Sequence, residues 1–124
     1  MDERKIAAQW SRWYPGKKIV KLPERNPTEM ICETEPASEH PAWSVAIAVI
    51  DQSAPHFHRK SVETYEVMEG ELLLWVENKK ILLKKGETHS ILPNQVHWAK
   101  GKATSIKATS KPGWVPEDHI LVKR

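Results

Sequence analysis

From Trp43 to Thr109 the chain is a succession of short apolar runs, each closed by turn residues, and this rhythm constrains the fold before any motif is read. Ser44–Ile50 sets Val45, Ile47 and Val49 on one face and Ala46 and Ala48 on the other, as in a strand buried on both faces. The loop Asp51–Pro55 ends it. Further strands are expected at His56–His58, Thr64–Glu69, Leu72–Glu77, Ile81–Leu83, His89–Leu92, His97–Ala99 and Thr104–Thr109. Gly70, Asn78-Lys79-Lys80 and Lys84-Lys85-Gly86-Glu87 supply the turns between them. Short strands at such spacing make an all-β sandwich or barrel. Closing the sheet also removes the exposed edges that strands this short would otherwise present.

The flanks read differently. Residues 3–14 predict a short helix in which Ile6, Trp10 and Trp13 form one apolar stripe, with Asp2 as cap and Pro15-Gly16 as stop, so that the N-terminal helical segment spans 1–16. A helix of this length is marginal alone. Its stripe must dock on the outside of the barrel or on a second subunit. Residues 17–42 carry Pro23, Pro27, Pro36 and Pro41, and are strand-like only at Ile19–Leu22 and Met30–Cys32. Prolines at this density indicate edge strands and irregular connections. Glu33, Glu35 and Glu39 make the connection acidic. Residues 111–124 have no period and predict an extended arm, with Trp114, Ile120 and Leu121 buried against the barrel or across a dimer interface.

A chain of 124 residues suits one domain. Its net charge of +3 is spread over interleaved acids and bases, without the basic block of a nucleic-acid surface. No stretch is long and apolar enough to span a membrane, and Met1-Asp2-Glu3-Arg4-Lys5 lacks a signal-peptide pattern. The single cysteine, Cys32, excludes an internal disulfide and fits a reducing, cytoplasmic setting, as a small half-buried apolar residue.

Chemistry concentrates in residues 56–70. His56 and His58 share a strand face, and Glu63, Tyr65 and Val67 share another by the same alternation. Two imidazoles and a carboxylate converging on one point suit a divalent metal. The stretch Gly86–His97 can bring a third imidazole.

His56-x-His58, four residues, Glu63, six residues, Gly70 resembles the first motif of the cupin superfamily at every spaced position. Gly86 to His97 resembles the second. There the usual proline is Leu92, with Pro93 one place later, and the usual glycine is Asn94, which also tolerates positive φ. Gly101 stands where an asparagine is usual. The resemblance covers residues 43–110 and implies a small, single-domain jelly-roll barrel (a double-stranded β-helix) with a metal near one open end. It implies His56, His58, Glu63 and His97 as ligands of a divalent transition ion: Mn, Fe, Ni, Co, Cu or Zn. It also implies a homodimer formed through edge strands and terminal arms.

Two further side chains are candidate catalytic groups. Tyr65 shares the Glu63 face, and would orient substrate or a metal-bound water, or else simply line the barrel. His89 is either a pocket acid–base group or an ordinary surface histidine. Trp75 and Trp98 line the barrel mouth or pack in the core. His40 and His119 lie in proline-rich segments without ligand spacing and are set aside. The function expected is a metal-dependent enzyme acting on a small molecule such as a sugar or sugar derivative. The reaction would be of the isomerase or epimerase type, with Lewis-acid polarisation and a proton moved by His89 or Tyr65. An Fe(II) dioxygenase and a non-catalytic module binding a small ligand are the alternatives. No nucleophile elbow or phosphate-cradling loop is present, so hydrolases and kinases fit poorly.

Overall fold

The structure is a computed structural model that describes residues 1–122. Of the arm expected over 111–124, Lys123 and Arg124 lie outside the described residues. One helix, α1 (Glu3–Trp13), precedes ten strands: β1 (Ile19–Leu22), β2 (Glu29–Glu35), β3 (Ser44–Gln52), β4 (His56–Phe57), β5 (Val62–Glu69), β6 (Glu71–Val76), β7 (Lys79–Lys84), β8 (Thr88–Ile91), β9 (His97–Lys111) and β10 (Ile120–Leu121). A 3₁₀ turn, Pro116–Asp118, leads into β10.

The long strand β9 closes the sheet. β3 runs antiparallel along one of its sides, from Gln52 opposite Lys100 to Ser44 opposite Ser110. On its other side β6 takes the first part, Val76 to Leu72 against His97 to Gly101, and β5 the rest, Glu69 to Val62 against Ser105 to Lys111. Residues 97–99 and 104–109, expected as two strands, therefore belong to one strand that is kinked at Ala103. Ala103 has φ 48° and donates its N–H to Asp51 Oδ1 at 2.7 Å. Gly101 is required at this bend, because a Cβ there would lie 2.4 Å from Thr104 Oγ1. The expected turn at residues 78–80 is shorter: Val76 pairs with Lys79, so Glu77 and Asn78 alone make it.

Alternation along the strands separates two clusters. Ala48, Ile50, Tyr65, Val67, Leu72, Leu74, Val76, Ile91 and Ile106 fill the barrel interior. The opposite faces of β2 and β3 present Met30, Cys32 and Val49 to α1, where Trp10 is 3% exposed and Ile6 packs alongside. Burying such side chains contributes roughly 1.5–3 kcal/mol each, which holds down a helix too short to stand alone. α1 thus covers the outside of the barrel, and Asp2 caps it through Lys5 N–H as expected. Two expectations are corrected. Trp13 is 59% exposed and stays outside the cluster that Ile6 and Trp10 join, and Cys32 is completely buried beneath the helix. Trp75 and Trp98 are neither barrel mouth nor core. They pair across β6 and β9 on the outer face, with rings stacked at 3.9 Å, because their neighbours Val76 and His97 point inward.

Candidate metal centre

The four residues carried over from the motif resemblance meet at one end of the barrel. His56 lies on the two-residue strand β4, held between β9 through the His56–His97 pair and β10 through Leu121. His58 follows as that strand ends. Glu63 is the second residue of β5, and Tyr65 two places on faces inward with it, as the strand period requires. Asn94, in the turn before His97, has φ 69°, the conformation for which asparagine substitutes for glycine. All four residues are buried, and one donor atom from each lies within 4.8 Å of the others.

Each imidazole is oriented through Nδ1. His56 donates to the Ala54 carbonyl at 2.8 Å, His58 to the Asp118 carbonyl at 2.8 Å and His97 to the Gln95 carbonyl at 3.0 Å. A carbonyl only accepts, so each Nδ1 carries the proton and each Nε2 presents a lone pair. Inside the cluster, Glu63 Oε1 is 3.5 Å from His58 Nε2 and 3.4 Å from His97 Nε2. These three atoms are buried without a hydrogen-bond partner. Leaving buried polar atoms unsatisfied is costly. Donors bound at about 2.1 Å to a tetrahedral or octahedral ion are roughly 3.0–3.4 Å apart, close to the spacing found. Imidazole and carboxylate are also the donor types a divalent transition ion takes. The cluster therefore fits such an ion.

Without an ion, the carboxylate and the imidazoles balance one another's charge, and a bound ion would displace the proton that Glu63 draws onto His58. Burial, then the neighbouring His97 and His119 imidazoles, push His56 down to about 3, so its ring is neutral near neutral pH. Burial opposes a charge on Glu63, but His58 and His97 facing it outweigh that cost and hold its carboxyl well below the usual range. Burial likewise opposes protonation of His58, and Glu63 outweighs it, raising the imidazole.

A cavity with about 50 Å³ of free space adjoins the cluster on the side of His56 and Glu63, room for a few waters or for one compact functional group. Among its walls are His56 and Glu63 from the cluster, Tyr65 from β5, Glu29, Ile31, Glu33 and Glu35 from β2, and Trp114 and His119 from the arm. Tyr65 is 4% exposed, and burial, then the charges of Glu63 and Glu29, raise its phenol well above the usual range. It stays protonated, available as a donor. His89 is set opposite Tyr65 on β8, but it lines a different surface depression with Ile81, Leu92 and Gln95. The structure does not bring it together with the four ligand candidates.

Three residues escaped the motif reading. His119 stacks on His56, ring centroids 4.2 Å apart at 17°, and burial, then the charge on His58, push it down to about 4. Asp118, 5% exposed, accepts the backbone N–H groups of Arg59, Lys60 and Ser61 at 2.8–3.2 Å, while its carbonyl holds His58. The arm is thus clasped to the loop between His58 and Glu63 of its own barrel. Only Glu29 left a readable signal: Glu29, Ile31 and Glu33 alternate with Met30 and Cys32, so once the apolar pair covers α1 the glutamates must face the other way.

Comparison with known proteins agrees with this architecture. The structure resembles the nucleoside dehydratase Pac13 of Streptomyces, with 13% identity over 89% of this chain and 88% of that one and a TM-score of 0.75. It resembles KdgF from a Halomonas species, with 16% identity, coverage of 73% and 86% and a TM-score of 0.65. A cupin-like protein of Thermotoga maritima gives 20% identity, 68% coverage of both chains and a TM-score of 0.61. At these identities the likeness is one of fold. No curated protein matches the sequence significantly, and no helix among the described residues is long and apolar enough to cross a membrane. The family description "Cupin domain" matches residues 43–107, more than half of the chain, and with the jelly-roll barrel and its buried His-His-Glu-His cluster this chain belongs to the cupin family.

Proposed function

We propose that this cupin is a metal-dependent enzyme acting on a small molecule, a sugar or sugar derivative, in a reaction of the isomerase or epimerase type. The observation that carries the reading is the set of three buried, partnerless donor atoms, His58 Nε2, His97 Nε2 and Glu63 Oε1, beside a cavity that Glu63 and His56 line. His56, His58, Glu63 and His97 would hold the ion. A divalent transition ion there supplies Lewis-acid polarisation of a carbonyl or hydroxyl oxygen. Tyr65 is the donor in the cavity: its phenol keeps its proton and offers a hydrogen bond to an oxygen that gains charge. Trp114 and His119 line the same cavity and would limit water there. The resemblance to a nucleoside dehydratase supports a small hydroxylated substrate.

The test is elemental analysis of untagged protein, before and after chelation, for wild type, His56→Ala and His97→Ala. Wild type should hold close to one ion per chain. Each variant should lose most of it while keeping its circular dichroism spectrum, because Val, Ile and Leu supply the core. Full occupancy in either variant would overturn the ligand assignment. Loaded wild type should then exchange a carbon-bound proton of a sugar from a reducing-sugar panel with D₂O. Iron as the native ion together with substrate-dependent oxygen uptake would replace the isomerase reading with a dioxygenase.

A further inference from the structure

We infer that the cavity selects neutral or cationic ligands presenting hydroxyl or amine donors, and rejects anions, with Glu29 as the residue that enforces this choice. The selectivity presupposes the metal centre proposed above, because the ligand would lie between the ion and Glu29.

Glu29 is 8% exposed, and its place on β2 opposite Ile50 turns it into the barrel. It lines the cavity together with His56, Glu63 and Tyr65. Among the described residues no donor or cation compensates it; burial and then the charge of Glu63 push it up to about 7. A buried carboxyl without a partner is expensive to keep, and it is satisfied when a ligand brings the missing donor. The other carboxylates of the lining have the same sign, with Glu35 paired to His40 at 3.0 Å. Glu33 and Glu35 continue the wall from β2, and among the described residues no Lys or Arg lines the cavity, in a chain that has 19 of them and a net charge of +3.

An ionised Glu29 cancels the positive charge that a dication keeps after Glu63 has bound it. An anionic ligand on the ion would then sit between two carboxylates at low local dielectric, where like charges repel strongly. A neutral hydroxyl or an amine on the ion instead turns its proton toward Glu29, forming a charge-assisted hydrogen bond. The free space fits a compact group, so small chelators are suitable probes.

Glycolate and glycolamide have nearly the same shape and chelate through the same hydroxyl and carbonyl oxygens. Only the first is an anion, and only the second carries amide donors. Wild type, Glu29→Gln and Glu29→Asp are loaded with Co(II), loading is verified by elemental analysis and folding by circular dichroism. The Co(II) visible spectrum is then titrated with each probe at about pH 8, where a group of pKa about 7 is ionised. The glycolate-to-glycolamide affinity ratio should rise at least about fivefold in Glu29→Gln and stay near the wild-type ratio in Glu29→Asp. Glycolate bound by Glu29→Gln and not by wild type is the same outcome in stronger form. A smaller change in the ratio, or no response to either probe in any loaded protein, overturns the inference and leaves the metal centre standing. Wild type that does not load Co(II) overturns the metal centre and this selectivity with it.

Discussion

Glu29→Gln in metal-free protein should raise stability, and by an amount that grows with pH. Burial, then the Glu63 charge, lift the Glu29 carboxyl from 4.5 to about 7 in the folded chain. The unfolded chain therefore releases this proton first as pH rises. The contribution is fully present below about pH 4.5 and is lost as pH rises through about 7. A shift of about 2.5 units at about 1.4 kcal/mol per unit corresponds to roughly 3 kcal/mol lost by pH 8. Glutamine has nearly the shape of the protonated acid and does not titrate. Urea unfolding of both proteins across this range should give equal stabilities near pH 4 and an advantage of about 2–3 kcal/mol for the variant at pH 8. Other titrating groups act on both proteins and cancel in the difference. A difference that stays flat with pH, or a variant less stable at pH 8, would refute the claim that Glu29 is buried without a partner. Repeating the series with a bound dication should shrink the effect, since the ion offsets Glu63 and leaves burial alone.

Asp118→Ala removes a carboxylate that accepts three backbone N–H groups, and should cost about 2–4 kcal/mol in urea unfolding and weaken metal binding about tenfold or more in competition with a chelator. Gly101→Ala drives a Cβ into Thr104 and the Ile50 carbonyl, and should cost about 1–3 kcal/mol by thermal unfolding. We propose that the chain is a homodimer, with Trp13 of α1, 59% exposed, and Leu121 of the arm, also 59% exposed, offered to a partner; light scattering that gives a monomer at micromolar concentration would count against this.

Three of the four ligand candidates were legible because they are local, and His97, which reaches them through the β4–β9 pairing, came from the motif resemblance. His56, His58 and Glu63 fall within eight residues of chain, and strand alternation and one tight turn decide where their side chains go. The barrel was legible for the same reason, its runs and turns each being short-range signals. What lay hidden depends on pairing between distant strands. Alternation tells which face Glu29 shares, but that this face meets the cavity depends on the pairing of β2 with β3, and in the sequence Glu29 stands among prolines that suggest irregular chain. His119 and Asp118 reach the site across about sixty residues, by a backbone pairing of β10 with β4 that no periodicity in the arm foretells. Trp13 shows the converse limit: helical spacing gives the stripe but not which of its members find a packing partner. The outward stacking of Trp75 on Trp98 was available from alternation, since each adjoins an inward-facing residue, and the large rings suggested burial instead.

Because Asp118 holds both His58 and the loop after it, while His119 lies on His56, docking of the arm and capture of an ion by the proposed centre would share one free energy. Linkage makes the sharing symmetrical. The factor by which a seated arm tightens the ion is the factor by which the ion tightens the arm. Metal content should therefore be readable at a distance from the metal, in how slowly a protease nicks residues 111–122 or how slowly their amide hydrogens exchange. A partner that pulled the arm away would act as a metal-release factor without touching a ligand.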